Sequence, residues 1–172
     1  MYNQQMAVHL LIDGYNLIGS RSGTLGDIEE AREYLIDCLV AYKRLKKARI
    51  TVVFDGPSMS YPERGPAGIE VLFSCGRDAD SVIKELVAKK GGGATVVTSD
   101  RDVASFARAK GAVVLASDEF QILLDDALYQ DMKGVDPLDE EEGSGPGKKG
   151  PSRKPPKEER RKQGRIRKLR GS

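Results

Sequence analysis

The aspartates of this chain sort to one end of its hydrophobic runs. Asp13 ends VHLLID (8–13) and Asp55 ends ITVVFD (50–55); Asp78 and Asp80 follow IEVLFS (69–74), and Asp100 and Asp102 follow TVVTS (95–99). Lys47, Arg49, Lys89, Lys90, Lys110 and several glycines fall at the opposite ends. Loop acids placed at random would occupy both ends, so the sorting predicts a shared carboxylate edge. Crowded like charges repel, and a cation relieves them best. Oxygen donors without His or Cys suit Mg²⁺ or Mn²⁺ in preference to zinc. A carboxylate-held metal that keeps several waters suits in-line attack on a phosphodiester, because it generates hydroxide, orients the phosphate and stabilises the leaving oxygen. Metal-dependent hydrolysis is the chemistry these residue types predict.

Asn16, three residues after Asp13, offers an amide to orient a water or phosphate, and Gly14 lets backbone approach the metal. Most of the acids also have a local reading. Asp78 and Asp100 could each cap a helix, and Asp55 opens an Asp-Gly-Pro turn. Asp13 lacks one, since no helix is predicted for many residues after IDGYN. Tyr15 reads as core or as a base-stacking surface, and Ser99 as a helix cap ahead of a phosphate contact. His9, the one histidine, is expected to pack within its strand.

The elements that must position these residues follow from hydrophobic period. The runs at 8–13, 50–55, 69–74, 95–99 and 112–117 are nearly continuous in apolar residues, the pattern of strands covered on both faces in a parallel sheet. Residues 27–48 place Ile28, Ala31, Leu35, Cys38 or Leu39, Tyr42 and Leu45 at steps of three and four, an amphipathic helix with Asp27 and Glu30 at its start. Further helices are predicted at 79–90, 101–110 and 117–132, the second and third of the four stopped by Gly91 and Gly111. The segment 56–68, with Tyr61, Arg64 and several prolines, reads as a surface loop. Strands alternating with helices argue for an α/β three-layer domain with a mainly parallel sheet, spanning 1–138.

Charge divides the chain. Residues 143–172 carry 12 Lys and Arg against 2 Glu, leaving 16 basic and 24 acidic residues in 1–142. Gly, Pro and charge dominate 139–172, so it reads as a disordered acidic-then-basic tail, with EERRKQGRIRKLR expected to become helical on a partner. Arg160, Arg161, Lys162, Arg165, Arg167, Lys168 and Arg170 are the residues expected to meet a polyanion, nucleic acid or the ribosome. No run approaches the roughly 20 apolar residues of a membrane span, and the N-terminus has no secretory pattern, so a cytoplasmic protein without membrane contact is expected. Cys38 and Cys75 lack metal-ligand spacing and read as reduced core thiols.

IDGYNLI, VVFDG, the ADS of RDADS and TSDRD, in this order and spacing, resemble the YacP-like members of the NYN branch of the PIN-like nuclease superfamily. The resemblance covers about residues 7–132. It implies a PIN-like α/β/α sandwich and a metal-dependent endoribonuclease, with Asp13, Asp55, Asp80, Asp100 and Asp102 at the metal and Asp13, Asn16, Asp80 and Asp100 in catalysis. It also implies RNA as substrate and a link to RNA turnover and ribosome-associated decay. Relatives often have ADE where this chain has Ala79, Asp80 and Ser81, which leaves Asp78 as the substitute acid or the site weaker.

Two other functions remain open. A noncatalytic RNA- or ribosome-binding adapter would keep the acids as caps and bind through the tail. A phosphatase would use Asp13 as nucleophile, although Tyr15 stands where the usual companion acid would be and no lysine is clearly placed at the acidic edge. A dinucleotide enzyme is excluded, because neither GxGxxG nor GxxxxGK[ST] follows the first strand, and no organic cofactor is expected.

Overall fold

Five parallel strands carry the acids, in a computed structural model that describes residues 7–20, 27–57, 65–133 and 155–170. They are β1 (His9–Asp13), β2 (Arg49–Phe54), β3 (Glu70–Phe73), β4 (Ala94–Val97) and β5 (Val113–Leu115), in the order β3-β2-β1-β4-β5. Among the described residues six α-helices accompany them: α1 (Gly14–Ser20), α2 (Ile28–Lys46), α3 (Ala79–Lys90), α4 (Arg101–Ala109), α5 (Ser117–Lys133) and α6 (Lys157–Arg170). Alternation along β1 splits the interior in two. Leu10 and Ile12 join the core with α1, α2, α5 and α6, while Leu11 joins the one with α3 and α4. Continuous apolar strands are needed because both faces are covered, as the sequence predicted. Among the described residues no helix is long and apolar enough to cross a membrane.

β1 lies between β2 and β4, where chain direction across the sheet reverses. In open parallel sheets the crevice at such a reversal, beyond the carboxyl ends of the strands, is where ligands bind. Asp13 is the last residue of β1.

Three findings differ from the sequence reading. First, α1 follows β1 immediately. Its seven residues are too few to show a helical period, and Gly14, Asn16 and Gly19 are poor helix formers; burial of Leu17 and Ile18 holds it. Second, α2 buries Leu35, Ile36, Cys38, Leu39 and Tyr42, but Ile28 and Leu45, in its terminal turns, face solvent.

Third, the basic segment from Lys157 is not disordered. It forms α6 against the body, and Leu169, 1% exposed, enters the core. The Tyr42 hydroxyl donates to the Leu169 carbonyl at 3.2 Å, and Lys46 donates to the carbonyl of Arg170. Arg161 and Arg165 donate to the carbonyls of Gly111 and Gly92 at 2.8 and 3.0 Å. Lys162 pairs with Glu119 and Arg108 with Glu158. An acidic body and a basic helix attract, and two apolar side chains, Ile166 and Leu169, supply burial that the tail's mean composition concealed. The expected boundary near 138 lies outside the described residues, as do Tyr61 and Arg64.

Candidate active site

Four of the five strands, β1 to β4, lead into the site acids at one edge of the sheet. Asp13 is 8% exposed, and one of its carboxylate oxygens accepts from the Asn16 amide N–H at 3.3 Å, so it caps α1. Asp13 therefore has the local reading that the sequence seemed to deny it. Capping does not account for its electrostatics. Burial first, then the charges of Asp80, Asp100 and Asp55, raise its pKa from 3.8 to about 6, against the lowering effect of the Asn16 amide. Burial among like charges is an environment that a bound cation would relieve.

Asp55, just past β2, accepts from the Ser74 hydroxyl at 2.8 Å, which fixes it beside the end of β3. Asp80 lies in the first turn of α3, and burial followed by the charge of Asp100 raises its pKa. Asp100 caps α4 by accepting from the N–H groups of Asp102 and Val103 at 2.9 and 3.0 Å. Asp13, Asp55, Asp80 and Asp100 thus share one electrostatic neighbourhood. Asp102 does not share it equally: its side chain is 78% exposed and pairs with Lys84. Asp78 is an exposed helix cap on the Ser81 N–H at 2.6 Å, and its charge, after that of Asp100, also raises the Asp80 pKa.

The sequence missed two features here. Lys84 stands at the acidic edge, on Asp102, although its place inside a helix hid this; one turn from Asp80, it could have been found by helical spacing. Asn16 is a clamp. Its Oδ1 accepts from the Ser99 N–H at 2.8 Å and from the Ser117 hydroxyl, tying α1 to the tips of β4 and β5. Asn16 keeps its Nδ2 for any other role. Ser99 does not cap α4; its hydroxyl accepts from the Ser117 N–H at 3.0 Å.

Gly14 is required for another reason than metal approach. A Cβ there would lie 2.3 Å from Cε1 of Phe54, so the absent side chain makes room for that ring. Tyr15 turns to the core: its ring packs on Phe54 at 5.2 Å and its hydroxyl accepts from Arg32 at 3.1 Å. The buried Arg32 guanidinium also stands over Phe54 and Phe73, at 5.9 and 5.5 Å. His9 is packed as predicted, sharing a hydrogen bond with Thr51 at 2.8 Å. Neither cysteine forms a disulfide; Cys38 is buried in the core as expected, whereas Cys75, expected there too, is exposed.

Among the described residues no group of three or more His, Cys, Asp or Glu is arranged to hold a metal ion by itself. The donor set still fits one in kind. It consists of hard oxygens with excess negative charge around a buried carboxylate, and Mg²⁺ is commonly held by one or two carboxylates with waters and substrate phosphate completing its shell.

The basic residues expected to bind RNA divide likewise. Arg161, Lys162 and Arg165 are engaged with the body, while Arg160, Arg167, Lys168 and Arg170 have exposed side chains.

Comparison with known proteins follows the same lines. The chain resembles the crystal structure of Rae1 (YacP) from Bacillus subtilis at 27% identity and a TM-score of 0.62, over 73% of this chain and 78% of that one. A single-substitution mutant of the same protein matches at 26% identity and 0.61, over 73% and 79%. No curated protein matches. The YacP-like NYN domain family matches residues 10–167, which takes in both the acidic edge and most of α6. The chain belongs to the YacP-like NYN domain family, a family of PIN-like nucleases.

Proposed function

We propose that this chain is a metal-dependent endoribonuclease that hydrolyses RNA phosphodiester bonds at Asp13, Asp55, Asp80 and Asp100, in RNA processing or ribosome-associated mRNA decay. The observation that carries the proposal is the state of Asp13: buried at the carboxyl end of the central strand, with three further carboxylates raising its pKa. Such an arrangement opposes folding unless a cation offsets it, and RNA alone, a polyanion, would be repelled by it. Mg²⁺ or Mn²⁺ would be held by these carboxylates and would supply Lewis acidity and an activated water. The chain's own residues do the rest. Asp13 and Asp100 are held in register by the Asn16 clamp, Asp55 is oriented by Ser74, and Asp102 serves by fixing Lys84 as a positive charge at the rim. RNA as the substrate rests on the family.

Lys84 gives one reason to keep the phosphatase reading in the test, because it places at the acidic edge the lysine which that reading lacked. The test is cleavage of a pool of labelled RNAs with Mn²⁺ or Mg²⁺, comparing the intact protein, Asp13→Asn and an EDTA control. Metal-dependent cutting lost in Asp13→Asn supports the proposal. Equal cutting by both proteins refutes the site, and RNA binding without cutting favours the adapter. Phosphate released from a small phosphorylated substrate, with RNA left intact, would favour the phosphatase.

A further inference from the structure

A groove of about 530 Å³ opens beside the acidic edge. Its inner end is Thr98 and Ser99, the residues before Asp100, and Ser99 is the residue that Asn16 holds. One wall is a single face of α4, on which Arg101, Ser105 and Arg108 follow at helical spacing. The floor is apolar, made by Ala104, Val114 and Ala116. The far wall is Lys162 of α6. A smaller cavity of about 110 Å³ continues past Arg108 and Lys162, under α6.

We propose that this groove holds the RNA strand as it leaves the acidic centre, with Arg101, Arg108 and Lys162 gripping its phosphates and α6 serving as the groove's outer wall. The inference rests on the nuclease reading for its substrate, and three observations carry it. The body outside the basic segment has an excess of acid, so a strand needs a local cationic track to reach Asp13; here three cations line one groove that adjoins the site. Asp118 and Glu119 also line the groove, so its three cations outnumber its acids by one. Lys162 pairs with Glu119 and Arg108 with Glu158, side chains 25% and 41%, and 47% and 71%, exposed. The exposed Arg108–Glu158 pair contributes little in water, so a phosphate competes with its carboxylate readily, while Lys162, held at the wall by its part-buried pair with Glu119, keeps further N–H donors for a phosphate. Finally, the described residues that line the groove include no aromatic, so the strand is gripped by its backbone, with little sequence preference.

The experiment measures binding of a short fluorescein-labelled single-stranded oligouridylate to the full chain in EDTA, where no metal-dependent cleavage occurs, across a salt series. The variants are Arg108→Ala with Lys162→Ala, and Ser105→Trp, which plugs the groove without changing charge. Arg77→Ala, at the opposite end of the edge beside β3, is the control. The groove double variant should bind about tenfold more weakly and with a salt slope shallower by about 1.4, from two lost phosphate contacts. Ser105→Trp should weaken binding with the salt slope kept, and Arg77→Ala should leave affinity near that of the intact chain. Unchanged affinity in the double variant and in Ser105→Trp, or a loss equal to that of Arg77→Ala, overturns the groove. Should the groove variants lose affinity while the intact chain never cuts RNA, the groove stands and the nuclease reading fails.

Discussion

Replacing Asp13 with Asn should make the metal-free protein more stable while abolishing its chemistry. Asn keeps the shape and can still accept from the Asn16 N–H, but it removes a buried charge among Asp55, Asp80 and Asp100. The Asp13 pKa rises from 3.8 to about 6 on folding, which corresponds to a penalty of about 3 kcal/mol for the ionised form. The sign follows from the direction: the folded state binds the proton more tightly, so the penalty is full above pH 6 and gone below pH 3.8. For a chain of this length the penalty converts to about 6–12 °C in Tm. Thermal unfolding in EDTA should therefore show Asp13→Asn ahead of the parent at pH 7.5, with the gap closing by pH 4. Adding Mg²⁺ or Mn²⁺ should raise the parent, by mass action on its folded state, and leave the variant nearly unmoved. An Asp13→Asn protein no more stable than its parent at pH 7.5, or a gap that does not change with pH, would refute the electrostatic reading of this edge.

Other perturbations test other parts. His9 is held neutral, its pKa pushed down to about 4 by burial and then by Lys90 and Arg49, so stability should fall as pH drops from 6.5 towards 4, by about 3 kcal/mol. Urea midpoints at pH 7 and 4.5 should show that acid-side loss shrinking in His9→Gln. Gly14→Ala drives a methyl into the Phe54 ring and should cost about 1–3 kcal/mol, read as a lower urea midpoint with an unchanged m-value. Leu169→Ala should cost about 2–4 kcal/mol in thermal unfolding if α6 is part of the core; a neutral result would mean that it is not.

The sheet and its acids were legible because a parallel strand buried on both faces writes itself as an apolar run, and because the residue that ends such a run is placed by the fold. Asp13, Asp55 and Asp100 needed only that rule. Asp102 misled: it follows Asp100 by two residues, and two residues along a helix turn a side chain most of the way to the opposite face, towards Lys84. The Asn16 clamp joins residues 16, 99 and 117, a closure that only strand order creates, and strand order is not in the local sequence. α6 was hidden by its charge. Two apolar residues among eight basic ones look like a free tail unless the carbonyls of Gly92 and Gly111 are known to wait for Arg165 and Arg161.

The docked α6 also settles how the sheet ends on one side. β5 is an outermost strand reading Val-Val-Leu, and an open strand of that kind offers unpaired backbone groups and apolar side chains to any passing strand. The lining of the small cavity shows Glu158, Glu159, Arg161 and Lys162 running beside Ala112, Val113 and Val114, so the helix lies along that margin as a guard rail. A chain shortened before Lys157 would lose more than cationic charge. It would expose an adhesive margin, and its first symptom would be self-association, appearing as light scattering before any loss of RNA affinity could be read.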